Sequence, residues 1–239
     1  MMQEESVQSP KEPQWGIRHL VFGWLLGFVA SYLVMIAMSL IDQNINLEDP
    51  SLGIIAILQV ALWVGILGIP LWLHLRKGVS WKDFGWSFKI NDVFPGFLIG
   101  LGTQIVLGLL VRPLILFLER FFGDIDVSEP ARELVDKATG SDVLFLFLIV
   151  VLIGPVVEEM FYRGFVLKAL EKRMSSRSAM IVSSLFFALA HFQLWQFPVL
   201  FLFGLVAAYL VRKYNRLSRA VWAHVGFNAG PVVALLLQG

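Results

Sequence analysis

Glu158, Glu159 and Arg163 stand in a long apolar run, just after residues 144–153, which carry no polar side chain. On an insertion scale a charge at the bilayer centre costs about 3 kcal/mol, so three cost about 9, and some fifteen apolar neighbours return roughly 7 in total. A segment so near break-even faces a wet or protein-walled cavity rather than lipid, and charge in such a place reads first as function. Adjacent helix residues point about 100° apart, whereas residues four apart share a face. Glu159 and Arg163 therefore form a structural ion pair in the favoured order, and Glu158 is left without a local counter-charge and free to act. The bland reading, in which all three charges only tie helices together, has to carry an unpaired acid at depth, which is costly. Gly154-Pro155 predicts a bend upstream, because Pro155 cannot donate to the carbonyl of Val151.

Three further side chains join this acid. His191 ends the apolar run from Phe186, and His224 and Asn228 lie one turn apart on one face of the last apolar stretch. Each alone is as readily a helix–helix hydrogen bond as a functional group. One free acid, two imidazoles and an amide in one short apolar half-chain are harder to explain as packing. At 1.5 Å per residue from the basic turn at 172–177, Glu158 and His191 both lie about 20 Å deep, so antiparallel helices bring them level. His224 and Asn228, counted from Arg219, come out shallower by about 10 Å.

The elements that must position these groups are membrane spans. Of 239 residues, 57% are hydrophobic and only 15% charged, against about 25% charged in soluble domains, so the chain is a polytopic integral membrane protein. Its net charge of +1 gives no reason to expect nucleic-acid binding. The absence of Cys excludes disulfides, thiol catalysis, Cys-based metal sites and lipidation of the chain. The pattern predicts an all-α bundle of about seven spans: residues 19–41, 52–74, 93–118, 142–170, 178–194, 197–211 and 220–237. Residues 1–18 read as an N-terminal tail, disordered over 1–13, with Trp15 and Arg18 as an interfacial anchor. Residues 19–141 form the N-terminal spans and loops, and residues 142–239 the core that holds the charged motif. Residues 130–138 predict a short surface helix. Arg76, Lys172, Arg216 and their basic neighbours place those turns, and the N-terminus, in the cytoplasm.

Glu158-Glu159-x-x-x-Arg163, then Phe187-x-x-x-His191, then His224-x-x-x-Asn228 resembles the CPBP intramembrane proteases, which include CAAX prenyl endopeptidases and bacterial relatives linked to bacteriocin processing or self-immunity. The resemblance spans about residues 142–237. It implies a buried catalytic cavity in which Glu158 and His191 activate water and His224 and Asn228 stabilise the oxyanion. It also implies a membrane-associated peptide or protein substrate and a bacterial plasma membrane. Such chemistry suits these residues, because peptide hydrolysis needs a base for water and donors for the developing negative oxygen. Zinc is the competing mechanism, and the family has also been described as metalloproteases. Two His and one Glu is a zinc-hydrolase ligand set, but the H-E-x-x-H spacing is absent, so a cofactor-free site is the preferred reading. Two other function classes stand against the endopeptidase: a non-proteolytic binding or immunity protein, and a small proton-coupled transporter. The complete Glu/His/His/Asn set favours the enzyme over the first, and the lack of an inverted repeat disfavours the second. Substrate identity and oligomeric state are not written in these residues.

Overall fold

The computed structural model describes residues 15–238. The expected disordered tail, residues 1–13, lies outside them. All regular structure among the described residues is helical, in eight helices and one 3-10 turn, Ile90–Asp92. They are α1 (Ile17–Ile41), α2 (Leu52–Lys77), α3 (Val93–Phe122), α4 (Glu129–Asp136), α5 (Asp142–Glu171), α6 (Ser176–Leu189), α7 (Phe197–Tyr214) and α8 (Ser218–Leu236).

Five of these, α1, α2, α3, α5 and α7, are long and apolar enough to cross a membrane, α3 together with the short turn that precedes it. The sequence predicts seven. Helix α6 has only 14 residues, roughly 21 Å of rise against a hydrocarbon core of about 30 Å. It ends at Leu189 instead of 194 because Phe192 adopts a left-handed backbone, φ 54°. Helix α8 has 19 residues, but Arg219, His224 and Asn228 dilute its apolar character.

Small residues set the closest approaches. A Cβ added at Gly100 on α3 would stand 1.7 Å from the carbonyl oxygen of Ala223 on α8, and one at Gly226 on α8 would stand 2.1 Å from that of Phe97. Helices α3 and α8 therefore touch backbone to backbone, the contact that small residues four apart permit in a membrane. Gly27 and Gly65 do the same for α1 and α2. The start of α8 is tied to the start of α3 by Asp92, a fully buried carboxylate. Arg216 Nε reaches it at 2.5 Å, Arg219 Nη2 at 2.8 Å, and the Ser218 hydroxyl also donates to it.

Helix α5 leaves α-helical winding twice. Phe147–Ile153 and Met160–Leu167 are π-helical, flanking an α-helical Gly154–Glu159. Pro155 offers no N–H, and the wide turn, with Gly154 N–H donating five residues back to Ile149 O, carries the helix through it. Trp15, expected at the lipid interface, is instead buried, its indole N–H donating to Phe165 O of α5 at 3.0 Å. The Phe84 ring, 4.7 Å away centroid to centroid, completes an apolar socket that outcompetes the headgroup region.

Candidate active site

The acidic pair on α5 points two ways. Glu159 and Arg163 are both fully buried, with Arg163 Nη1 donating to Glu159 Oε1 at 2.9 Å. Arg163 Nη2 also donates to Gly204 O on α7 at 3.2 Å, and the guanidinium lies 4.4 Å over the Phe187 ring of α6. One cation thereby joins α5, α6 and α7. Glu158, one residue and about 100° earlier, lines a cleft of about 450 Å³.

His191, His224 and Asn228 line the same cleft. His191 lies beyond the end of α6, in the turn that Phe192 closes. Its Nδ1 bonds to Phe187 O at 2.7 Å, and since a carbonyl only accepts, Nδ1 carries the proton. That tautomer leaves Nε2 facing Glu158 Oε2, at 3.8 Å. Ser183 Oγ donates to Tyr162 O at 3.1 Å, holding α6 in register with α5 below this turn.

His224 is buried on α8. Its Nδ1 lies 2.9 Å from Glu159 Oε1, and its Nε2 lies 3.7 Å from Glu158 Oε2. Glu159 thus serves two partners, Arg163 and His224, and fixes which nitrogen of His224 meets Glu158. The Phe203 ring, 4.8 Å from the imidazole, forms the wall behind it. Asn228 donates from Nδ2 to Val150 O of α5 at 2.9 Å, in the stretch where the wide winding alters the carbonyl pattern. One N–H of this amide is therefore committed, and the other has no partner among the described residues.

The depth difference counted for His224 has no counterpart in this geometry. A Cβ at Gly164 would stand 2.6 Å from Phe84 O and 3.3 Å from Leu217 Cδ1, so the start of α8 is level with Gly164 and not with the turn at 172–177. Glu158 lies six residues before Gly164, and His224 seven after Leu217, which brings them to one level. The last turns of α5 extend beyond the start of α8.

The cleft also has residues the motifs did not indicate. Gln59 and Trp63 of α2 and Gln104 of α3 line it, and so does Leu134 of α4. An amide in mid-span was the available signal for the two glutamines, since a polar group there needs a partner or a cavity. At the start of α4, Asp126 accepts from the Ser128 hydroxyl and from Arg132 Nε, at 2.5 and 3.1 Å. These contacts, Ser128 first, hold its carboxyl below the usual range against the opposing effect of burial. Among the described residues no three His, Cys, Asp or Glu side chains are grouped to hold a metal ion.

No curated protein and no solved structure matches the chain. Residues 140–230 match the family model described as type II CAAX prenyl endopeptidase Rce1-like, and this segment carries the resemblance to CPBP intramembrane proteases read from the three motifs.

Proposed function

We propose that this protein is an intramembrane endopeptidase that hydrolyses a peptide bond of a membrane-associated protein or peptide in the cleft beside Glu158. The observation that carries the reading is the meeting of Glu158 Oε2 with two imidazole Nε2 atoms, at 3.7 and 3.8 Å, each ring oriented through its Nδ1. Separations of that size are too long for direct hydrogen bonds and suit a shared water. Glu158 takes one proton of the water as its oxygen attacks the carbonyl carbon. His191 Nε2 accepts a second hydrogen bond from that water and orients it. The proton held by Glu158 passes to the leaving nitrogen as the C–N bond breaks.

The carbonyl oxygen becomes negative in the tetrahedral state. The uncommitted N–H of Asn228 donates to it. His224 Nε2 can donate only from a protonated ring, whose charge Glu159 balances at Nδ1. Glu159 is thus a positioning residue for His224 as well as the partner of Arg163. The apolar lining of the cleft supports an apolar substrate segment, and the family description extends this to prenylated CAAX peptides. In this reading α6 and α8 join the five helices that are long and apolar enough to cross, making seven. The basic turns and the N-terminus lie in the cytoplasm, in a bacterial plasma membrane.

Membrane proteomes of cells carrying the wild-type protein and Glu158→Ala test the activity. A fragment present only with the wild type supports it and names the substrate; identical proteomes in a host shown to contain a substrate-competent protein contradict it. Water activation here uses no metal. Protein stripped by chelator, and metal-free by elemental analysis, is expected to cut peptide at the untreated rate. Restoration of activity only by zinc, at one ion per chain, would reassign His191 and His224 as ligands.

A further inference from the structure

Two polar atoms on residues that line the cleft have no partner among the described residues and no place in the mechanism above. Gln104 Oε1, on α3, is buried with no hydrogen-bond partner among the described residues, and so is the Nε1 of Trp63 on α2. Trp63 is only 6% exposed, and both residues line the cleft. Trp24 and Trp222 also leave Nε1 unpartnered, but neither lines the cleft. An unpaired buried acceptor or donor carries a desolvation penalty that a bound ligand can remove.

Their positions bracket the reacting groups. A Cβ at Gly154 would stand 3.4 Å from Trp63 Cζ2, and Gly154 precedes Glu158 by one turn of the same helix face. Trp63 therefore lies one turn along α5 from the proposed base. The stem of Gln104 lies against Gly230 of α8, where a Cβ would be 3.4 Å from its Cγ, two residues beyond Asn228. An acceptor on the α8 wall and a donor on the α5 wall match the alternating N–H and C=O groups of an extended peptide.

We propose that Gln104 and Trp63 bind the substrate main chain, Gln104 Oε1 accepting one peptide N–H and Trp63 Nε1 donating to one peptide carbonyl. This rests on the reading of the cleft as a protease site. It makes α2 and α3, outside residues 140–230, the source of sequence-independent grip on the peptide. Side-chain preference is then left to the apolar walls.

The test uses full-length protein carrying Glu158→Gln, in detergent, titrated with a fluorescein-labelled peptide ending in a prenylated CAAX sequence. A series of the same peptide replaces one backbone amide at a time by an ester, which deletes the N–H. One ester position is expected to weaken binding roughly three- to tenfold. In Gln104→Met, which keeps an unbranched stem against Gly230, amide and ester at that position should bind alike. Trp63→Phe should weaken the parent peptide by a similar factor without changing the ester effect at the Gln104 position. The ester series on otherwise unaltered Glu158→Gln protein stands even if a variant folds poorly. Equal binding of every ester, an ester penalty that survives Gln104→Met, or no binding of the peptide at all would overturn the proposal. Cleavage by protein with Glu158 intact is read in parallel. Coupling without cleavage contradicts the proteolytic reading and keeps the main-chain site, whereas cleavage without coupling does the reverse.

Discussion

Among the described residues, the segment from α5 to α8, with the turn after α6, supplies every carboxylate and imidazole that lines the cleft, whereas α2 and α3 bring it two glutamines, an indole and apolar groups. The family match covers the first set and not the second. Yet α3 meets α8 backbone to backbone and Asp92 clamps the start of α8, so the helix that holds His224 and Asn228 depends on the unmatched half for its position. Under the proposed function, the difference teaches that chemistry and placement are divided between the halves. Substitutions in the second half should separate rate from stability, and substitutions in the first should not.

The largest expected effect is an exception that sharpens this division. Glu159→Gln removes the charge that pairs with Arg163 in a fully buried site and leaves His224 Nδ1 only a neutral amide oxygen as acceptor, shared with Arg163. Breaking one side of a buried pair costs about 3–5 kcal/mol, so thermal unfolding in detergent should shift far down, with activity lost alongside. A stable, inactive Glu159→Gln would show that its service to His224 outweighs its service to Arg163.

Asn228→Ala comes next and should behave as a pure second-half variant. Loss of one oxyanion donor lowers the rate constant by about 100- to 1,000-fold, with peptide affinity little changed. Asn228→Asp, nearly the same size but without the N–H, should be as poor or worse in single-turnover cleavage. If Asp were tolerated better than Ala, the bond to Val150 O would be the whole of its role.

The smallest of the three lies in the first half. Gly100→Val places a side chain where the Ala223 carbonyl now sits, and overpacking of this kind costs about 1–3 kcal/mol. Stability and rate should fall together, because α8 moves with its His and Asn. A Gly100→Val protein with lowered Tm and an unchanged single-turnover rate would break the claim that α3 positions the site.

Much of this was legible from residue types alone. Charge inside apolar runs must be partnered or face a cavity, and Glu158, His191, His224 and Asn228 do share one cleft. The Gly96-x-x-x-Gly100 spacing was a readable sign of close helix packing, and Gln59 and Gln104 of a polar lining. What could not be read depends on how the helices lie against each other. The level of His224 follows from where Gly164 meets Leu217, a contact between segments far apart in sequence. The hydrogen bond from His224 to Glu159 follows from that level. The position of His191 in a turn depends on one left-handed residue, Phe192, whose type gives no hint of it.

The account turns on Glu158 acting as the base while Glu159 holds the structure. Single-turnover cleavage of a quenched-fluorescent prenylated CAAX peptide by Glu158→Gln protein, with thermal unfolding of the same sample, tests it most directly. The expected result is a rate lowered by about 100- to 10,000-fold at a Tm close to that of the wild type, since the nearest imidazole nitrogens stand 3.7 and 3.8 Å from Glu158 Oε2 and no direct side-chain hydrogen bond among the described residues is broken. A well-folded Glu158→Gln protein that cuts at the wild-type rate would contradict it.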